Sequence, residues 1–335
     1  MGMTIVEKIL ARHSGQAKVS PGDIVVCDID MAVQTDLGFI FNPDLAMPKR
    51  VHDPDKVAII LDHRAPAKSA DEAAGHARAR KYAAEMGIGH FFDIGNHGIC
   101  HQIIQERALA MPGGILVCSD SHTMASGALN CAARGLGTLD LTQVFATGKS
   151  WFRCSPTIKF VFEGERPPHV AGKDILLYMA DRFGSLEGHN LEFAGPGLTS
   201  LSMDQRSSLC TMCTELSADF ATFPADEITL AYFSKRTTKP LTPVNPDADA
   251  EYAAVHVIDL SSLTPFLARP DFIPNNTEPV AGFADKVAID QAYVGSCANG
   301  KLEDLQIAAA IVKGRRVAPG VRMVVTPASQ EVYLD

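Results

Sequence analysis

Three groups of chemically active residues each come directly after an apolar run of the sequence. An Asp-His pair at 62–63 follows KVAIIL, the segment SDSHT at 119–123 follows GILVC, and GSCANG at 295–300 follows a run that ends at Val294. Carboxylates and imidazoles exchange protons near neutral pH, and a cysteine thiolate can bind a metal. If the apolar runs are parallel strands, their carboxyl ends lie at one edge of a sheet, where ligands bind. The pattern therefore predicts one site with acid–base groups and a thiolate.

The segment at 119–123 has two interpretations when it is taken alone. Asp120 and His122 could be a carboxylate and an imidazole placed for proton transfer. They could equally belong to a polar loop that caps the next helix, with Asp120 accepting from free N–H groups. A serine hydrolase is the poorer interpretation, because Ser121 stands in DSH and lacks the glycines of G-x-S-x-G.

Two further histidine-containing segments are candidates for the same site. In the pair Asp62-His63, the adjacent carboxylate can orient the imidazole ring and raise its pKa. The alternative for His63 is an exposed loop histidine without a role. His101, in GNHGICH, falls on the first turn of a predicted helix, where it could point into a site or cap the helix.

The cysteines divide into one candidate ligand and several core thiols. Cys297 has small neighbours, which leave room for a large group such as a metal cluster. The alternative is a small buried apolar residue. Cys210 and Cys213 form a CxxC, but the sequence offers no second CxxC and no paired histidines nearby. Because residues 203–216 have a helical pattern, we interpret these two as core-facing thiols.

The elements that must position these residues alternate between strand and helix patterns. Strands are predicted at 57–61, 114–118, 157–163, 255–260, 286–294 and 321–325, and helices at 69–86, 99–109, 174–183 and 203–216. Such alternation is typical of an α/β protein with mainly parallel sheets. Soft boundaries near 150 and at 269–282 predict three domains, 1–150, 151–280 and the start of a third at 281–335. Because 327–335 looks like the opening of a helix, we expect the third domain to be incomplete.

Composition and charge exclude several classes of protein. The chain has 335 residues, a formal net charge of −9 and no basic stretch, so nucleic acid is not an expected partner. No apolar run approaches the ~18 residues of a membrane span, and the start MGMTIVEKILARHSG has no signal-peptide core. Eight scattered cysteines fit a reducing compartment. We therefore predict a cytoplasmic protein.

Ordered motifs along nearly the whole chain resemble one family. The sequence is similar to the aconitase superfamily, and within it to the large subunits of 3-isopropylmalate dehydratase. The motifs that carry this resemblance are LDHRAP, DIGNHGICHQ, SDSHTMASGALNCAARGLGTLD, ATGKSWFRCSPTIKF, LEFAGPGLTSLSMDQR and VGSCANGKLEDL, in the family's order. The resemblance implies aconitase-like three-layer α/β/α domains and a hydro-lyase that dehydrates and rehydrates a hydroxy-dicarboxylate.

The resemblance also implies a cofactor. Members of the superfamily use a [4Fe–4S] cluster held by three cysteines, and the open position of the fourth iron acts as a Lewis acid on the substrate hydroxyl. By position in GSCANG, Cys297 would be the first ligand. The other two cysteines belong to a later CxxC, which we expect beyond Asp335. We therefore expect that this chain alone does not hold the cluster and is inactive.

Eight further positions match active-site residues of the family. The expected catalytic residues are Asp62, His63, His101, Asp120, His122 and Glu215. The expected substrate-binding residues are Gln34 and Ser121, which would hydrogen-bond substrate carboxylates. By the resemblance, Asp62-His63 and His122 would handle the proton of the departing hydroxyl. Asp120 and Glu215 would hold the water at the open iron position.

The resemblance implies a heterodimer and leaves the substrate open. The family's substrate-binding arginines and serine base lie on a swivelling domain, which two-subunit members carry on a separate small subunit. The leading hypothesis is isomerisation of 3-isopropylmalate and 2-isopropylmalate in leucine biosynthesis. Asn96-His97 stands where the family often has Arg-Gly, Thr211 replaces the more usual Asn, and Ala298 replaces the common Thr. Sister dehydratases for homoaconitate, 2-methylmalate or 2,3-dimethylmalate are therefore alternatives, as is a cluster-free module that binds a polycarboxylate or a partner.

Overall fold

Apolar runs in the sequence become the buried strands of parallel sheets. The computed structural model describes residues 2–335. The strands are β1 Ile24–Asp28, β2 Met31–Thr35, β3 Val57–Ile60, β4 His90–Phe92, β5 Ile115–Cys118, β6 Ala132–Gly135, β7 Lys149–Arg153, β8 Thr157–Glu163, β9 Asn190–Ala194, β10 Phe220–Thr222, β11 Ala254–Asp259, β12 Phe266–Ala268, β13 Thr277–Pro279, β14 Gln291–Val294 and β15 Arg322–Val325. The α-helices are α1 Ile5–Ser14, α2 Asp36–Phe41, α3 Ala70–Met86, α4 Cys100–Glu106, α5 Thr138–Thr147, α6 Gly172–Phe183, α7 Met203–Met212, α8 Glu227–Ser234, α9 Ser296–Asn299, α10 Leu302–Val312 and α11 Gln330–Leu334.

The first parallel sheet determines where the candidate residues meet. Its strand order is β4-β3-β2-β5-β6, and every neighbouring pair is parallel. All residues of β2, β3 and β5 are buried, as expected for strands covered on both faces. Because β2 lies between β3 and β5, the residues that follow these three strands are neighbours at one edge of the sheet.

Two more parallel sheets follow along the chain. The second has the order β10-β9-β8-β11, and the third pairs β14 with β15. Antiparallel pairing is confined, within the sheets described, to the ribbons β1–β7 and β12–β13. The prediction of an α/β fold with mainly parallel sheets is therefore confirmed.

The domain limits stay a prediction. Each parallel sheet lies inside one of the predicted segments, 1–150, 151–280 and 281–335. However, β7, which pairs with β1, itself contains residue 150, and one cluster of core side chains is shared by the first two sheets. The strand predicted at 286–294 begins only at Gln291. Its parallel partner β15 has four residues, and these pair one to one with Gln291–Val294.

A close approach of two backbones brings the second sheet against the first. A 3₁₀ segment, Ser121–Leu129, follows β5 and packs against α7. A Cβ atom at Gly127 would lie 1.7 Å from the carbonyl oxygen of Ala221 in β10, so only glycine permits this contact. The residues that follow α7 are therefore held beside the residues that follow β5. No helix in residues 2–335 is both long and apolar enough to cross a membrane.

Candidate active site

One carboxylate organises three of the predicted catalytic histidines. Asp120 Oδ2 lies 3.1 Å from His63 Nε2, and Asp120 Oδ1 lies 2.9 Å from His101 Nε2. The backbone N–H of His122 donates to Asp120 Oδ1 at 2.8 Å. The three histidines come from the loop after β3, the first turn of α4 and the segment after β5. The convergence that the sequence predicted for the strand ends thus holds for Asp62-His63 and the Asp120 loop, and His101 joins them from the first turn of α4.

The structure confirms the cap interpretation of the Asp120 loop, and the acid–base interpretation stays a prediction. Asp120 is the N-cap of the 3₁₀ segment Ser121–Leu129, because its side chain accepts from the His122 N–H. The same carboxylate also pairs with two imidazoles, which a simple cap does not require. Burial alone would raise the pKa of Asp120, but the bonds to His101 and His63 outweigh burial and hold this pKa well below its usual range. Asp120 is therefore ionised at neutral pH.

His63 is a cation held by three carboxylates. Besides Asp120, its Nδ1 forms a short hydrogen bond with Asp62 Oδ1 and lies 3.7 Å from Asp36 Oδ1. The hydrogen bonds to Asp120, Asp36 and Asp62 raise the pKa of His63 to about 12, against the opposing effect of burial. The ring is therefore protonated at neutral pH, as the adjacent aspartate in the sequence indicated.

Asp62 connects this loop to the next helix. Its Oδ2 accepts the backbone N–H of Cys100, the first residue of α4, at 3.0 Å. Burial raises the pKa of Asp62, although the bond to His63 acts in the opposite direction. Asp62 thus fixes both His63 and, through the start of α4, the position of His101.

The imidazole of His122 joins the first two sheets. Its Nε2 lies 3.0 Å from Glu215 Oε1, and Glu215 belongs to the turn that follows α7. The hydroxyl of Thr214 donates to the carbonyl of Ser121 at 2.9 Å, which holds the two segments together. Both His122 and Glu215 are partly exposed, so a substrate can reach them. The predicted residue Glu215 therefore lies within the site.

The two expected substrate-binding residues have different surroundings. Ser121 is exposed and lines a cavity of about 330 Å³, together with Ser119 and Asp120. Gln34 is only 1% exposed, and its amide donates to Ser119 Oγ at 2.9 Å and to the carbonyl of Thr35 at 3.1 Å. The side chain of Gln34 therefore supports Ser119 from beneath the cavity, and its contact with a substrate stays a prediction.

Cys297 differs from the other cysteines of the chain. The eight cysteines are all free thiols, and seven of them are buried, while Cys297 is partly exposed near the start of α9. Burial and then the nearby charge of Asp120 raise the pKa of the Cys297 thiol. The loop is held from beneath by the buried Lys301, whose Nζ donates to the carbonyls of Cys297 at 3.0 Å and Ala298 at 3.1 Å.

Cys210 and Cys213 belong to the core. The thiol of Cys210 points to the carbonyl of Ala221, and the thiol of Cys213 lies 3.2 Å from the carbonyl of Leu209. Burial raises the pKa of both thiols. Ser208, on α7, instead bonds the carbonyl of Ala298, so the thiols point away from the Cys297 loop. The interpretation as core-facing thiols is confirmed.

The cysteines of the described residues do not form a three-thiolate set. A cluster held by three cysteines needs all three on one accessible cavity. Among residues 2–335, Cys297 alone combines partial exposure with a loop of small residues. The described residues therefore fit one corner of such a cluster, and its other ligands would come from elsewhere.

The sequence analysis missed Asp36, and it included Ser119 in the segment 119–123 without giving it a role. Asp36 follows β2 directly, at the same edge as Asp62 and Asp120, and Ser119 receives hydrogen bonds from Gln34 and from the backbone N–H of Thr35 at 2.9 Å. The apolar run MAVQT of β2 was the available signal. The rule that ligands gather at the carboxyl ends of parallel strands applies to Asp36 as well.

A comparison with protein families gives the family of this chain. The model of the Aconitase family (aconitate hydratase) matches residues 41–287 and 275–335. The chain belongs to the aconitase family. It is therefore an enzyme, a hydro-lyase, and membership of the aconitase family implies an iron–sulfur cluster.

Within the aconitase family, the chain is similar to the following proteins. The chain is 50% identical over 335 residues to the 3-isopropylmalate dehydratase large subunit of Mycolicibacterium smegmatis, covering 100% of this chain and 79% of that protein. It is 42% identical over 339 residues to 3-isopropylmalate dehydratase large subunit 1 of Methanopyrus kandleri, covering 99% and 80%. The crystal structure of Thermococcus kodakaraensis aconitase X (holo-form) matches with a TM-score of 0.51 and 12% identity, over 92% of this chain and 73% of that one. This last likeness supports the fold alone.

Proposed function

We propose that this chain is the large subunit of a heterodimeric hydro-lyase that interconverts 3-isopropylmalate and 2-isopropylmalate in leucine biosynthesis. The name shared by relatives at 50% and 42% identity supports this substrate. The observation that supports the hydro-lyase chemistry is the set of contacts around Asp120, whose carboxylate binds two imidazoles and the backbone N–H of a third histidine. This arrangement holds a cationic imidazole against an ionised carboxylate and fixes the backbone of His122 beside them.

The surroundings of the three histidines support a different role for each. Dehydration breaks a C–O bond and a C–H bond, so one group must donate a proton to the leaving hydroxyl and a base must take the proton from carbon. We assign the base to the serine that the resemblance places on the small subunit. His122 suits the donation to the hydroxyl, because its ring is partly exposed and its Nε2 lies within hydrogen-bond distance of Glu215 Oε1, at 3.0 Å. His63 suits the role of a fixed positive charge, because a group with a pKa of about 12 is a weak donor at neutral pH. His101 is buried and orients Asp120.

For the cofactor, we propose a [4Fe–4S] cluster with Cys297 as one ligand. When bound, the cluster supplies Lewis-acid assistance to the departure of the hydroxyl. The partly exposed thiol and the small residues around it support this assignment. Lys301 Nζ also donates to Ser208 Oγ of α7 at 3.2 Å, and this bond holds the Cys297 loop against α7. The two further thiolates would come from outside residues 2–335.

We propose a small subunit with the swivelling domain as the partner, because the relatives are named as large subunits. The small subunit would complete the recognition of the dicarboxylate over the cavity that Ser121 lines. A cytoplasmic location is proposed on the ground that the eight cysteines are all free thiols.

The test is a substrate comparison with the assembled enzyme. The full-length large subunit would be copurified with its small subunit and reconstituted anaerobically. The kcat/KM for hydration of the unsaturated isopropyl dicarboxylate would then be compared with that of homoaconitate and of the methyl and dimethyl analogues. We expect the isopropyl compound to give the highest value. A higher kcat/KM for another compound would show that the proposed substrate is wrong. Equal rates of hydration by wild type and His122→Ala would show that His122 is not the proton donor.

A further inference from the structure

A fully buried carboxylate lies directly behind the loop that carries His63. Asp36 is 0% exposed and is the first residue of α2, immediately after the central strand β2. Its Oδ1 accepts the backbone N–H of His63 at 3.1 Å, and its Oδ2 accepts the backbone N–H of Arg64 at 2.7 Å. One side chain therefore holds two successive amides of the loop after β3.

The cost of burying Asp36 indicates that its contacts are specific. A buried carboxylate is strongly unfavourable unless hydrogen bonds and charges compensate it. Besides the two amides, Oδ1 lies 3.7 Å from His63 Nδ1, and Oδ2 lies 3.6 Å from Nε2 of His76 on α3. His76 is 2% exposed, and its Nε2 has no hydrogen-bond partner among the described residues. Asp36 thus lies between a site imidazole and a second, buried imidazole.

We propose that Asp36 is a positioning residue for the hydro-lyase reaction: it fixes the loop of residues 62–64 so that His63 Nε2 faces Asp120, and it adds one of the three negative charges that face the His63 ring. The proposal deepens the proposed function, since it assumes that His63 serves the reaction. It assigns no contact with substrate to Asp36, which is covered by the loop that it holds.

The charge on His63 depends on every group that faces its ring. Three carboxylates face it directly, and three imidazoles face those carboxylates in turn. The direct set is Asp120, Asp62 and Asp36, and the second set is His101 on α4, His76 on α3 and His122 after β5, whose Nδ1 lies 3.8 Å from Asp120 Oδ1. Without the charge of Asp36, two carboxylates still face the ring, so its pKa would fall without losing all of its increase.

The substitution Asp36→Asn separates these effects from simple loss of packing. Asparagine keeps the shape and one acceptor oxygen, but it removes the charge and turns an amide donor toward one backbone N–H. A matched control is Asp30→Asn at the opposite end of β2. Asp30 also accepts a backbone N–H, from Ile115 at 2.8 Å, and pairs with a histidine, His13, at 2.7 Å. Both variants should therefore lose stability, but only Asp36→Asn should alter His63.

The measurement is NMR of the imidazoles in the histidine-labelled 335-residue chain, with His63 assigned by its loss in His63→Gln. In wild type and in Asp30→Asn we expect the His63 ring to stay protonated between about pH 5 and 8, where an ordinary imidazole titrates. In Asp36→Asn we expect its titration to move to lower pH and its signals to broaden as the loop loses one bond. In the assembled enzyme, kcat should fall and its alkaline limb should move to lower pH, with KM little changed.

Two results would overturn the proposal. The first is a His63 ring in folded Asp36→Asn that titrates and exchanges as in wild type. The second applies if Asp36→Asn does not fold, and it is measured on the wild type. The backbone amides of His63 and Arg64 should then exchange slowly with solvent, because Asp36 accepts both. Exchange as fast as that of exposed amides would refute the proposal that Asp36 holds the loop. These measurements need no activity, so an inactive wild-type enzyme would count against the proposed function and not against Asp36.

Discussion

His63 Nε2 lies 3.1 Å from Asp120 Oδ2, and this contact joins the ends of two strands that are not adjacent in their sheet. The strand between them, β2, supplies Asp36 beneath the same histidine. The contact therefore places a permanent cation against an ionised carboxylate at the base of the site. A charge pair that is assembled before substrate binds needs no reorganisation during the reaction.

The first prediction concerns the imidazole assigned to proton transfer. In the assembled, cluster-loaded enzyme, His122→Ala should lower kcat about 10²–10⁴-fold, because a positioned acid–base group is lost. Steady-state hydration of the unsaturated dicarboxylate measures the change, with iron determined on the same sample. The control is His169→Ala, at an exposed position of the second segment, which should keep full kcat. Full activity in His122→Ala would move the acid–base role to His63 or His101.

The second prediction is a pH dependence of stability that arises from His63. Its pKa in the folded protein, about 12, is higher than the ordinary value of 6.5. A raised pKa stabilises the folded state fully below about pH 6.5, and this contribution declines as the pH rises toward 12. The difference in the free energy of unfolding between wild type and His63→Gln should therefore be largest below about pH 6.5 and shrink at alkaline pH. Denaturant titrations at several pH values measure it, and a difference that grows with pH would contradict the assignment.

The third prediction separates the cysteines. In the assembled enzyme, Cys297→Ser should abolish both activity and retention of the cluster. Cys210→Ser and Cys213→Ser should leave iron and sulfide content mostly unchanged, because both thiols face the core. Loss of iron from either of these variants would refute the core interpretation.

The fourth prediction concerns iron binding by the 335-residue chain. After anaerobic reconstitution it should not retain a stable cluster, because its described residues offer one suitable thiolate where three are needed. Iron and sulfide analysis measures this. A content near four irons per chain would contradict the prediction and direct attention to Cys210 and Cys213.

The fifth prediction concerns the buried amine beneath the Cys297 loop. Lys301→Met should destabilise the protein by about 1–3 kcal/mol, because the carbonyls of Cys297 and Ala298 lose a buried donor. The assembled enzyme should also release iron faster. Lys313→Met, at an exposed position after α10, is the matched control and should change neither property. Unchanged iron release in Lys301→Met would show that the amine does not hold the loop.

The sequence by itself determined the elements and the edge at which the chemistry gathers. The apolar runs before 62–63 and 119–123 became buried parallel strands, β3 and β5, because such runs can only be covered inside a sheet with helices on both faces. The helical spacing around Cys210 and Cys213 likewise indicated core thiols, and the motif order indicated the family. These properties depend on local patterns, which the sequence displays directly.

The tertiary structure alone decided which groups touch. Local patterns did not show that Asp120 would pair with both His63 and His101, that Gln34 would turn inward to Ser119, or that Asp36 would be buried behind the site. These contacts join residues from separate elements, so they depend on how the elements pack. The approach of Gly127 to Ala221 is an example, because a single Cβ there would push the second sheet, and Glu215 with it, away from His122.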